Sequence, residues 1–117
     1  MRFTIAGALV LGACATGPSV SKTAVYQVQP GMTRGEVVEL LGEPASRSFK
    51  DNAEALQYCR TGGIGSDYNY FAVVWLQDGV VKAMTNENRM QIFTSCHDGL
   101  PPIDWGQMPA DISIEVR

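Results

Sequence analysis

Tyr68-Asn69-Tyr70-Phe71-Ala72-Val73-Val74-Trp75-Leu76-Gln77-Asp78-Gly79-Val80-Val81-Lys82-Ala83-Met84-Thr85 reads as a β-hairpin. Tyr68 to Gln77 is dense in aromatic and β-branched side chains, which suit a pleated surface. Asp78-Gly79 is a strong two-residue turn signal, so Val80 to Thr85 returns antiparallel. Such a turn predicts Gln77 opposite Val80, Trp75 opposite Lys82 and Val73 opposite Met84. One face then carries Tyr70, Ala72, Val74, Leu76, Val81 and Ala83, small and aliphatic enough to receive a helix. The other carries Phe71, Val73, Trp75, Val80, Lys82 and Met84. That second face is apolar yet holds a charge. Either another part of the chain covers it, or it is an exposed patch of the kind that marks contact with a partner.

Upstream, Ala55 to Arg60 is a candidate first strand, and the glycine-rich Thr61 to Asp67 a connecting loop. Further back, Thr33-Arg34-Gly35-Glu36 has the S/T-x-x-E form of a capping box. Met32 can staple onto Val37, and Val37, Leu40 and Leu41 share one helical face. Gly42 suits the left-handed residue that ends a helix, and Pro44 prevents its resumption. The spacing predicts a helix over 34–41, too short to be stable alone, so it must lie on the sheet. The fold class expected is α+β and two-layer: a short helix or helix pair on a three-stranded antiparallel sheet. After the hairpin come Pro101, Pro102, Trp105 and Pro109 in irregular structure, then Ile112 to Val116 as a possible edge strand. This C-terminal part is the first candidate to cover the second face.

The N-terminus has a different character. Arg2 precedes an apolar run, Phe3 to Leu11, which is too short to span a bilayer. Leu11-Gly12-Ala13-Cys14 resembles a lipobox, and the resemblance to bacterial lipoproteins implies cleavage before Cys14 and acylation of that residue. The alternative is a buried N-terminal strand or helix. The expected organisation is a signal peptide at 1–13, a lipidated cysteine and flexible tether at 14–24, and one small domain at 25–117, with an extension from about 97.

The chain has 117 residues, a net charge of −3 and three cysteines. Without a basic cluster, that charge disfavours nucleic acid, and anchorage must come from acyl chains rather than a polybasic patch. If Cys14 carries lipid, Cys59 and Cys96 remain as an even pair in an oxidising compartment. A disulfide between them would close a loop of about 38 residues and add roughly 3–4 kcal/mol; two buried free thiols are the alternative.

Gly31-Met32-Thr33, Glu36-Val37, Leu40-Leu41-Gly42-Glu43-Pro44, Leu56-Gln57-Tyr58 and Phe71 to Val81 together resemble the SmpA/OmlA (BamE-like) family of small outer-membrane lipoproteins. The resemblance covers roughly residues 28–85. It implies a compact α+β domain facing the periplasm from the inner leaflet of the outer membrane. It also implies a non-enzymatic accessory role in β-barrel assembly, with barrel-assembly proteins as partners. Ala15, which is not aspartate, would favour the outer membrane by family-level sorting rules. The Cys59/Cys96 pair and the C-terminal extension depart from the family pattern.

Chemistry is sparse. His97 is the only histidine and reads as a surface residue. Glu36, Glu39 and Glu43 line the exposed side and end of the helix. Gly62-Gly63-Ile64-Gly65 lies between strands, whereas a phosphate cradle needs a helix N-terminus. No cofactor, metal or small-molecule substrate is expected. Binding is the better prospect, through Phe71, Trp75, Lys82 and Met84 on the mixed face, where Trp75 and Lys82 could form a cation–π pair. The alternative function is an envelope-tethered binding or inhibitor-like module unrelated to barrel assembly.

Overall fold

The computed structural model describes residues 19–63 and 65–109. The signal-peptide segment, Cys14 and the Ile112–Val116 strand expectation all lie outside the described residues. The elements are α1 (Lys22–Val25), α2 (Arg34–Leu41), β1 (Ser46–Lys50), β2 (Ala53–Arg60), β3 (Tyr68–Gln77), β4 (Val80–Met90) and a 3₁₀ turn at Trp105–Gln107. The strands form one antiparallel meander in the order β1-β2-β3-β4. The sheet therefore has four strands rather than the three expected.

The additional strand, β1, has one large apolar residue, Phe49, and that side chain is exposed. It turns into β2 through Asp51-Asn52, with Asp51 at φ 56°. Asp tolerates this left-handed conformation better than most residues. At the other hairpin, Asp78 (φ 53°) and Gly79 (φ 85°) both lie in the left-handed region that the twist-matched two-residue turn requires. Asn52 Nδ2 donates to Asp78 Oδ1 at 2.9 Å, joining the two turns at one end of the sheet.

The helix at 34–41 forms as its caps dictate. Thr33 Oγ1 accepts from the Glu36 N–H at 3.2 Å, and Glu36 Oε1 accepts from the Thr33 N–H at 2.9 Å. At its C-terminal end, Gly42 has φ 88°, and its carbonyl accepts from the Tyr58 hydroxyl at 2.8 Å. Val37 is buried, and Met32 and Leu41 pack beside it against Leu56, Tyr58, Tyr70, Ala72, Val74, Leu76 and Val81. Glu54, also buried, accepts from Arg34 Nε at 3.0 Å and from Arg47 Nε at 3.4 Å. That links α2, β1 and β2.

The chain also packs earlier than composition suggested. Val20 is buried, its N–H donates to the Cys59 carbonyl at 3.1 Å, and α1 follows directly, capped by Ser21. The expected tether to residue 24 thus includes a segment that joins the core.

The hairpin register needs one correction. Gln77 pairs with Val80 as expected, but a β-bulge between Trp75 and Leu76 makes β4 skip one residue. Trp75 faces Ala83 rather than Lys82, and Val73 faces Thr85 rather than Met84. A bulge shifts every later residue on its strand by one position. Met84 therefore packs on the helix side and Ala83 stands opposite Trp75, the reverse of the expected assignment.

Candidate functional site

The second sheet face is covered by the chain's own C-terminal segment. Cys59 and Cys96 are disulfide-bonded, with their Cα atoms 5.9 Å apart. Phe71 and Leu100 pack against this bond. Trp75 is completely buried, and Trp105 meets it edge to face with ring centroids 5.7 Å apart. Its indole N–H donates to Thr85 Oγ1 at 2.9 Å. Gln57, buried on the same face, donates to the Pro101 carbonyl at 3.0 Å and accepts from the Ser46 hydroxyl at 2.8 Å. A buried amide left without partners would cost about 1–3 kcal/mol. The extension thus supplies a partner that the sheet alone does not.

Phe71, Trp75, Lys82 and Met84 accordingly do not form one exposed patch. Phe71 and Trp75 are floor residues under the extension, Met84 lies on the other side of the sheet, and Lys82 sits at the bulge, half-buried. No signal in the sequence marks the bulge. The covering itself was one of two alternatives the sequence left open, and Trp105 was its visible sign.

An open groove of about 350 Å³ remains beside the cover, between β4 and the extension. Its floor includes Phe71 and Val73, and its walls include Asn86, Glu87, Arg89 and Ile103. It runs along β4, the edge strand of the sheet. The start of that edge is occupied: the Gly31 N–H donates to the Val81 carbonyl and the Val81 N–H to the Met32 carbonyl, each at 2.8 Å. Beyond Val81 the outer edge of β4 has no backbone partner among the described residues. An unpaired edge of this kind is a template for strand addition.

At the far end of the sheet, Asn69 is a functional-looking residue that sequence reasoning missed. Buried between loops, it accepts from the Gly62 N–H at 3.0 Å and donates to Gln91 Oε1 and the Thr94 carbonyl, both at 2.8 Å. The glycine-rich loop is thereby fastened to the turn after β4. That turn, Gln91 to Thr94, has Phe93 fully exposed at φ 60°. A left-handed conformation costs a non-glycine residue roughly 1–2 kcal/mol. Tyr68, Met90 and Ile92 are exposed around it.

His97 is partly exposed, with Nδ1 3.6 Å from Cys96 Sγ. The cluster Cys59–Cys96–His97 offers no thiolate for a metal because its two sulfurs are bonded to each other. Two phenols are displaced in acidity. Burial, then the nearby Glu43 charge, pushes Tyr58 far above the ordinary tyrosine range. Burial, then the Tyr26 phenol, pushes Tyr70 up to about 12. Lys22 lies over the Tyr70 ring, 4.9 Å from its centroid.

A capped helix on one sheet face, a stapled cover on the other and an open strand edge define a small α+β interaction module. The outer membrane protein assembly factor BamE domain family matches residues 17–85, more than half of the chain. The protein belongs to this family, which is outer-membrane associated and comprises assembly factors. The matched segment spans both helices and the sheet as far as Thr85, and most of the disulfide-pinned cover lies beyond it. No curated protein matches the sequence.

Proposed function

We propose that the protein is a lipid-anchored, non-enzymatic accessory factor of outer-membrane β-barrel assembly, held by Cys14 on the inner leaflet and acting through protein contacts. The coincidence of the family segment, residues 17–85, with the packed helix–sheet unit carries this reading. The contact surface we assign is the open edge of β4 from Lys82 to Arg89, with the adjoining groove. Lys82 and Met84 belong to that strand, whereas Phe71 and Trp75 act from beneath by holding the sheet and its cover in shape. An unpaired edge of this kind accepts an extended segment of a partner as an added strand.

A deletion strain tests the role. Accessory function in barrel assembly requires lower levels of barrel proteins and greater detergent sensitivity, restored by the wild-type chain. Normal barrel levels in a strain that lacks the protein would support an envelope-tethered binding module outside barrel assembly.

A further inference from the structure

We infer that the Ile92-Phe93 tip, with Tyr68 and Met90 behind it, inserts into the lipid leaflet that carries the N-terminal anchor. The inference rests on the reading of Cys14 as lipidated. A water-facing turn ordinarily places Gly or Asn at the left-handed position, because those residues adopt it at little cost. Here that position holds Phe93, fully exposed, with Ile92 half-exposed beside it. Tyr68 and Met90 are a cross-strand pair directly behind, and both are exposed.

Chain geometry says what meets this tip. Val20 is hydrogen-bonded to Cys59, Cys59 is bonded to Cys96, and Phe93 is three residues before Cys96. The point where the N-terminal segment leaves the domain is thus at the tip's own end of the sheet. Six residue steps separate Val20 from Cys14, a reach of at most about 22 Å. An acylated Cys14 therefore keeps this end near the lipid. Lys22 and Arg60, lining one cleft there, add positive charge, and Asp67 stands nearby with the opposite sign.

The described end of the C-terminal segment lies away from the tip. Pro109 lies beside Lys50, Asp51 and Gln77, at the opposite end of strands about 30 Å long. The Asn69 hydrogen bonds and the disulfide hold the tip in place, so little ordering is left to be done on insertion.

The test uses mature, lipidated protein in vesicles of phosphatidylethanolamine and phosphatidylglycerol whose acyl chains carry bromine quenchers. Phe93→Trp is compared with Phe49→Trp at the distant end, after subtraction of wild-type emission from Trp75 and Trp105. Both positions are exposed, so both variants should fold, and circular dichroism checks this. The added indole of Phe93→Trp should be quenched at least twofold more than that of Phe49→Trp, with blue-shifted emission. Water-like, unquenched emission from acylated, vesicle-bound protein would overturn the inference and leave the anchor reading standing. A mass without acyl groups at Cys14 would overturn both. Shielding of Phe93→Trp from acrylamide only in the presence of barrel-assembly proteins, without bromine quenching, would assign the tip to a protein partner and overturn it too.

Discussion

Reducing the Cys59–Cys96 bond is the most revealing perturbation of the fold. The bond closes a sequence separation of 37 residues. Releasing that constraint in the unfolded chain costs about 4 kcal/mol by the loop-entropy argument. Small domains have only about 5–15 kcal/mol in total, so the loss is a large fraction. In urea, with a slope of about 1–1.5 kcal/mol/M for a domain of this size, the midpoint should fall by roughly 3 M. The structure adds a second expectation. The bond pins the extension next to the lid over Trp75, so a reduced protein should release that lid before the sheet melts. Tryptophan emission should then shift to the red at lower urea than the far-ultraviolet circular dichroism signal is lost. The assay is a urea titration of the mature chain followed by both probes, with and without dithiothreitol, and repeated on Cys59→Ala/Cys96→Ala. A midpoint that falls by less than 1 M, with the probes still coincident, would refute the claim that the disulfide secures the cover.

Other expectations follow from single contacts. Trp105→Ala removes the edge-to-face partner of Trp75 and should cost about 1–2 kcal/mol, read as a lower urea midpoint and red-shifted Trp75 emission. Thr33→Ala breaks the capping box and should cost about 1 kcal/mol, whereas Thr33→Ser should restore most of it. Tyr70 has a buried hydroxyl without a hydrogen-bond partner among the described residues, so Tyr70→Phe should be neutral or stabilising. Tyr58→Phe loses its bond to Gly42 and should cost about 1 kcal/mol. Because burial holds both phenols above the ordinary value of 10.0, the folded state resists their ionisation. Their contribution is complete below pH 10 and is lost as pH rises toward 12, so thermal stability should fall across that window. The fall should be shallower in Tyr70→Phe.

The parts of the fold that local chemistry specifies were legible in the sequence. The capping box announces α2, and Asp78-Gly79 announces the hairpin, because each residue there answers a particular backbone need. What was not legible depends on context. The exposed strand β1 shows no apolar alternation, and α1 is one turn inside a small, polar stretch. Residues Asn86 to Arg89 of β4 are polar because they lie on an edge strand, so the strand runs past its apolar part to Met90. The bulge at Lys82 has no local sign, yet it moves Met84 across the sheet and dissolves the expected patch of four residues. Asn69 reads as an ordinary polar residue until two loops converge on it.

The most direct test of the role in barrel assembly is site-specific photo-crosslinking in the native envelope. A photoreactive side chain at Asn86, exposed on the open edge of β4, is compared with one at Phe49 on β1. The proposed role requires crosslinks from position 86, and not from 49, to subunits of the barrel-assembly machinery. Normally folded and anchored protein that yields no such crosslinks from position 86 would contradict it.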